Sequence, residues 1–526
     1  MKHKPGIFND VIGPVMRGPS SSHTAASWRA AKMSLDILNE PLKKALVDFD
    51  KNGAWAHNYR EQGTTLGIDG GLLGLEMTDD RMKNTERVAR EMGVSIQYEV
   101  NSFKTNHVNS VRLAMESING ARVQVLVASL GGGSFEIQEI DGFKVKICGD
   151  YYELLLFNHA SDTIPEILVE LFPGKKSISE SINGENRLIN LKSSENFSKE
   201  DIELLKKSSF FTDVIVANPV LPIISGNEID LPFTSVATML EYAEKENLSL
   251  GDIGLIYEKC QSGLPERDVV EKMKEVVGII EHSIKNGLAG TAYEDRILPQ
   301  QSHLIENAKK RNKILQNSIV NQIVANVSAI MESKSAMEVV VANPTAGSCG
   351  AVGGVMRAVA DEMEATHDEL ISAYFATGII GAYFAMGPGF SAEEHGCQVE
   401  CGASAGMAAA GIVQLFGGTA RQAVDAASMA IQNMIGLVCD PIADRVEAPC
   451  LGKNVSAAVN ALSSATMSCA GYNALIPLNE VIETVSSVSA QMPTCVKCTG
   501  KGGLAITKTA CELKKKLASK NTLNTT

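Results

Sequence analysis

Residues 371–390 read ISAYFATGIIGAYFAMGPGF, 20 positions without a charged side chain. A stretch of that length and composition satisfies the requirement for a membrane-spanning helix. It equally suits a helix buried on all sides by other helices. The Gly and Ala content and the Gly-Pro break near its end favour the buried core helix. The neighbouring segments agree. SVATMLEYAEKEN from Ser235, ERDVVEKMKEVVGIIEHSIK from Glu266 and the Ala/Gly/Met-rich stretches from Ala336 onward carry a helical pattern. Residues 233–515 are therefore expected to form a large all-α domain around a buried bundle, followed by a solvated tail at 516–526.

The first half reads differently. RVQVLVASL, FEIQEI, FKVKICG and YELLLFN, between Arg122 and Asn158, alternate or run apolar as strands do, with Gly131–Gly133 as a hairpin turn. From about 150 to 217 the order is strand, helix (DTIPEILVELF), two strands, helix (KEDIELLKKS) and strand (DVIVA), which suits a small ferredoxin-like α+β module. Pro219, Pro222, Gly226 and Pro232 then punctuate a linker at 219–232. The expected organisation is an α/β domain at 1–149, the small module at 150–218, and the all-α domain.

A chain of 526 residues supports two to four domains. Its 44% apolar and 21% charged residues are ordinary for a globular protein, and a net charge of −13 argues against nucleic-acid or anionic-membrane partners. MKHKPGIFNDVIGP meets Asp10 and two prolines too early for a secretion signal, so the expected location is the cytoplasm. Eleven cysteines in such a chain do not read as a disulfide framework, and only Cys148 lies in the first 259 residues.

Polar stretches interrupt the apolar second half. NPTAGSCGAVGG from Asn343 brings Thr345, Ser348 and Cys349 into a glycine-rich helix start. HGCQVECG from His395 and GLVCDPIADRVEAPC from Gly436 place Cys397, Cys439 and Cys450 beside Gly or Pro. Cysteines in such loops are free to turn toward one ion, and three ligands leave a coordination position for substrate. The spacing matches no short-range signature, so a metal site and packed thiols both stay open. Cys401 reads as a packed thiol, and the CxxC pair Cys495 and Cys498 as incidental. GPSSSHTAA, 18–26, crowds three hydroxyls and an imidazole before an alanine-rich run. That is either a helix N-cap or a site for a small carboxylate. No dinucleotide fingerprint, P-loop or pyridoxal-phosphate loop occurs.

The longer motifs carry a resemblance. DVIGPVMRGPSSSHTAA, YREQGTTLGIDGGLLG, NHVNSVRL and SLGGGSFEI resemble the β part of the iron–sulfur-dependent L-serine dehydratases. NPTAGSCGAVGG, GCQVECGASAGMAAAG, NMIGLVCDPIADRVEAPC and GKGGLAITKTA resemble their α part, here fused behind the β part. The resemblance implies an N-terminal fold like an allosteric substrate-binding domain, an ACT-type module after it, and an all-helical catalytic domain. It implies a [4Fe–4S] cluster on Cys397, Cys439 and Cys450, with one iron lacking a protein ligand. It implies substrate binding by Ser20, Ser21, Ser22, Thr24, Gln62, Asn109, Thr345, Gly347 and Ser348. His23 and His107 are the implied catalytic histidines, His107 the base that takes the α-proton. The implied reaction converts L-serine to pyruvate and ammonia, iron acting as a Lewis acid on the β-hydroxyl. The partner is then a small amino acid, and a homodimer is one assembly open to the chain. L-threonine or L-cysteine as substrate, and a non-catalytic amino-acid sensor, are the alternatives.

Three departures from the family pattern stand out. Glu61-Gln62-Gly63-Thr64 replaces Gly-His-Gly-Thr, so an amide stands where the family has an imidazole. Asp444 and Arg445 replace a small and an apolar residue, and either pair with each other or read a different side chain. NHASDTIPEI, from Asn158, replaces the turn with which ACT modules bind an amino acid.

Overall fold

Val15–Met16 pairs antiparallel with Val340–Val341 in the computed structural model, so the N-terminus joins the helical half of the chain. The structure describes residues 4–523 other than 54, 106, 161–167, 169–170, 173–176, 294 and 317. Two units result: residues 1–22 with 229–526, and residues 23–228. The first 22 residues were expected with the sheet domain. They belong instead to the helical unit, because that ladder and the burial of Ile7, Phe8, Val11 and Ile12 hold them there.

At the centre of the helical unit is His367–Met386, which contains the apolar stretch. Thr366 caps its start in a reciprocal box with Glu369, and it stops at Gly387 before the Gly-Pro break. Of its most apolar window 78% is buried, so it is a core helix. Gly378 and Gly381 face the N-terminal segment, where an added Cβ would lie 2.7 Å from Ile7 Cγ2 and 2.1 Å from Val11 Cγ1. The helices Cys401–Leu415 and Leu250–Ser262 pack along it.

In the second unit a six-stranded sheet runs, edge to edge, Ser95–Asn101, Leu42–Asp50, Ser110–Ser117, Arg122–Gly131, Ser134–Ile140 and Phe143–Ile147. The first pair is parallel and the others antiparallel. Gly131, Gly132 and Gly133 all take positive φ in the hairpin, which matches their reading as a turn. A four-stranded antiparallel sheet has the order Asp213–Ala217, Tyr152–His159, Asn186–Ser193, Ser177–Asn183. Its strand Tyr152–His159 reads as a continuous apolar run because both faces are buried. Leu154 and Leu156 enter a core with Phe172, Phe197 and Leu205, whereas Leu155 joins the core of the six-stranded sheet. That shared core is why the contacts do not divide at residue 149, where a domain boundary was expected. Most of the helix expected at 162–172, and the turn replaced by NHASDTIPEI, lie outside the described residues.

Helix Thr64–Leu72 lies against Ala26–Leu38 at backbone distance: a Cβ on Gly67 would sit 2.2 Å from Thr24 O. That approach sets Gln62 and Thr64 beside the residues following the serine triplet.

The N-terminal segment is pinned by a buried carboxyl. Glu258 Oε2 accepts from Ile7 N at 2.6 Å. Burial pushes Glu258 up to about 8, against the opposing pull of the Ile7 and Phe8 N–H groups. A carboxyl raised in the folded state makes the fold less stable as pH climbs from its unfolded pKa toward its folded one. The melting temperature is therefore expected to fall between about pH 4.5 and about pH 8 through this group. Glu258→Gln, which keeps an acceptor for Ile7 N and cannot ionise, is expected to flatten that fall. An unchanged slope in thermal melts across this range would refute the assignment.

Candidate active site

Three loops of the helical unit bring thiols together. The helix Ala392–His395 ends at Gly396, whose φ of +78° and ψ of 178° suit glycine. A Cβ there would lie 3.1 Å from Leu437 O. The chain then makes a 3₁₀ turn, Cys397–Val399, before the helix Cys401–Leu415 begins, and Gln398 N donates to Leu437 O at 3.1 Å. Cys439 is held by the C-terminal loop: its N donates to Val496 O at 2.8 Å, and Cys498 N donates to Cys439 O at 2.9 Å. Cys450 opens the helix Cys450–Cys469, after Pro449.

The ligand atoms of Cys397, Cys439 and Glu400 all lie within 4.8 Å of one another. Cys450 is outside this tightest group but buried beside it, and burial, then the neighbouring Cys397, pushes its thiol far up. Hydrogen bonding to the thiols of Cys397 and Cys498, and then burial, raises Cys439 well above the ordinary range. Burial pushes the Glu400 carboxyl up to about 7, with the Thr345 hydroxyl pulling the other way. Soft sulfur donors crowded in a dry pocket fit iron or an iron–sulfur cluster. Metal uptake there must release protons from thiols held protonated.

The two serine- and threonine-bearing motifs meet the same place. Ala346 N donates to Ser21 Oγ at 3.4 Å, and Ser20 and Ser22 share a hydroxyl contact at 3.1 Å. Ser22 Oγ donates to Glu393 Oε1 at 3.1 Å. Thr345 Oγ1 donates to Glu400 Oε1 at 2.7 Å and lies 3.2 Å from Ser348 Oγ. Glu400 Oε2 is 3.9 Å from Cys397 Sγ. A Cβ on Gly347 would stand 2.8 Å from Glu400 Oε1, so a larger residue there would displace the Glu400 carboxylate. Both amide atoms of Asn343 are buried and without a hydrogen-bond partner, the condition of a group that waits for a ligand. No side chain caps the helix Ala26–Leu38; the chain enters it through a wide π turn, Ser21–Ala25. No serine of the triplet therefore caps that helix.

In the sheet unit, His23 Nε2 lies 3.1 Å from Asn58 Oδ1 and its ring lies against Trp55. Thr24 Oγ1 donates to Gln62 O at 3.1 Å. Gln62 Nε2, Thr64 Oγ1, Trp55 Nε1 and Asn109 Oδ1 are buried without partners. His107 Nδ1 accepts from Asn109 N at 3.1 Å, so the neutral ring carries its proton on Nε2.

Several residues of this region were not legible as functional. Cys498, read as incidental, is buried against Cys439, whereas Cys495 is exposed. The signal was available, since Cys498 stands two residues before Gly500 in the same kind of loop as the other three. Glu400, Lys453 and Asn343 carried no motif of their own. Asp444 and Arg445 do not pair with each other: Asp444 binds Lys514, and Arg445 Nη2 lies 2.6 Å from Asp295 Oδ1.

The family profile for the serine dehydratase alpha chain matches residues 178–505. The chain belongs to that family. It is 33% identical over 285 residues to a probable L-serine dehydratase alpha chain of Bacillus subtilis (strain 168), covering 54% of this chain and 95% of that one. Two separate chains of Peptoniphilus asaccharolyticus also match. The L-serine dehydratase alpha chain is 31% identical over 284 residues, 53% of this chain and 95% of its own length. The beta chain is 32% identical over 184 residues, 35% of this chain and 82% of its own length. Counterparts of both chains are thus fused in one polypeptide of this serine dehydratase family member.

Replacing Cys397, Cys439 or Cys450 by Ala is expected to abolish iron and sulfide uptake on anaerobic reconstitution. Cys469→Ala and Cys495→Ala are expected to keep it. Full iron content in Cys439→Ala would overturn this set.

Proposed function

We propose that this protein is an L-serine ammonia-lyase that converts L-serine to pyruvate and ammonia, with a [4Fe–4S] cluster held by Cys397, Cys439 and Cys450. The observation that carries the reading is the convergence of the buried Cys397 and Cys439 and the half-buried Glu400 within 4.8 Å, in a chain that matches both kinds of serine dehydratase chain. Bound there, the cluster supplies Lewis-acid assistance to the departure of the substrate hydroxyl.

The remaining work falls to side chains. In the helical unit, Ser20, Ser21, Ser22, Thr345 and Ser348 are proposed to hold the substrate's carboxylate and amino group, and Gly347 to leave room for it. Asn343 offers a buried donor and acceptor with no other use. In the sheet unit, His23, Thr24, Gln62 and Asn109 are the proposed binding residues, Gln62 through its unpartnered Nε2. His107 is the proposed base for the α-proton, which requires Nδ1 to give up the Asn109 N–H. His23, whose Nε2 lies 3.1 Å from Asn58 Oδ1, is the second histidine proposed to handle the proton. Once water is lost, the enamine tautomerises and hydrolyses without further need of the protein.

For the small module, the strand order fourth–first–third–second supports a ferredoxin-like, ACT-type fold, and the six-stranded unit is proposed as the allosteric-substrate-binding type. The proposed location is the cytoplasm.

The deciding assay measures pyruvate from L-serine against 2-oxobutyrate from L-threonine, under argon with the cluster reconstituted. Pyruvate from serine is expected; turnover of neither amino acid by iron-loaded protein refutes the reading. Ser21→Ala is expected to leave iron content unchanged and to lower kcat/KM at least tenfold, about 1.4 kcal/mol of transition-state binding. His107→Asn is expected to stop exchange of deuterium into the serine α-position while binding survives. Exchange that persists in His107→Asn but disappears in His23→Asn moves the base role to His23.

A further inference from the structure

One ammonium group joins all three thiol loops. Lys453 sits three residues after Cys450 on the same helix, one turn along its face. Its Nζ donates to Val438 O at 2.7 Å and to Asp440 Oδ1 at 2.7 Å, on either side of Cys439. The same Nζ reaches to 4.0 Å from Cys397 Sγ. The side chain is 13% exposed and that of Asp440 6%, so this charge is not a solvated surface group. Asp440 is fixed in turn by Leu504 N, which donates to Oδ2 at 2.9 Å.

An ion pair with Asp440 alone would hold the Cys439 loop. It would not require the ammonium to point at a sulfur from the third loop. Asp440 and the Val438 carbonyl orient Nζ, and the remaining donor direction is used on Cys397. We propose that Lys453 is a positioning residue for the cluster, donating to the Cys397 sulfur and offsetting the negative charge of the thiolate set. This rests on the cluster reading above. A cluster held by three thiolates is anionic and becomes more so when reduced. A fixed cation at a ligand sulfur therefore favours the reduced form, raises the potential, and slows the loss of the thiolate from iron. In the metal-free chain the same group keeps the three loops in register.

The test uses the full-length protein, reconstituted anaerobically, with iron content, the electron paramagnetic resonance of the reduced cluster and its reduction potential as readouts. Lys453→Met is expected to shift the potential to a more negative value and to lose iron faster in air, with Lys453→Arg restoring both toward the parent. A loaded Lys453→Met protein with the parental potential and spectrum overturns the proposal. If Lys453→Met takes up no cluster, Lys453→Arg decides. Uptake with a near-parental potential supports a charge role, and an equally empty Arg variant reduces Lys453 to packing and overturns it. A parent protein that holds no cluster sinks the functional reading itself, a result distinct from either outcome for Lys453.

Discussion

A ladder of two residue pairs, Val15–Met16 against Val340–Val341, ties the segment that carries Ser20–Ser22 to the segment that carries Asn343–Ser348. The pairing is antiparallel, so the chain toward Ser20–Ser22 and the chain toward Asn343–Ser348 leave it at opposite ends and meet again beyond it, where Ala346 N donates to Ser21 Oγ. The ladder ties residues 1–22 to the helical unit. Two residue pairs alone are too few to hold a chain end in water. The ladder persists because Ile7, Val11 and Ile12 are buried and Glu258 holds the Ile7 amide.

The thiol pocket is governed by desolvation. Cys397, Cys439, Cys450 and Cys498 are all buried, and contact with neighbouring thiols together with burial makes Cys439 and Cys450 favour the protonated state. Crowding several such groups is unfavourable for a core that needs only apolar filling, where Ala or Val would pack without repulsion on ionisation. The arrangement makes physical sense once a cation or a cationic iron–sulfur core replaces the protons. Asp444 and Arg445 illustrate the opposite case. Each has found a partner outside the thiol group, in Lys514 and Asp295, so these two departures from the family pattern are tied into the surrounding framework.

Glycine sets the distances at which these parts meet. Gly396 takes a backbone conformation suited to glycine and lies where a Cβ would press on Leu437 O, which keeps Cys397 close to the loop of Cys439. Gly347 leaves room for Glu400, and Gly67 lets two helices of the sheet unit touch at backbone distance. In each place the absent side chain is what allows a polar group to approach, so a substitution there would act by displacing Leu437 O, Glu400 or Thr24 O.

Much of this was legible in the chain itself. Periodicity identified the core helix at 367–386, the strands between Arg122 and Asn158 and the glycine hairpin, because burial on one face or all round leaves a local signature in the spacing of apolar residues. Loop context and family motifs selected Cys397, Cys439 and Cys450 from eleven cysteines. Only the tertiary structure decided that the first 22 residues leave the sheet domain, that Cys498, Glu400 and Lys453 join the thiols, and that no serine of the triplet caps the helix Ala26–Leu38. Those facts depend on contacts between residues up to several hundred positions apart, such as Ser21 with Ala346. A pairing of that kind leaves no periodic trace in either segment. It arises when the burial of many distant side chains fixes two loops at one place, and that is a property of the whole packed core.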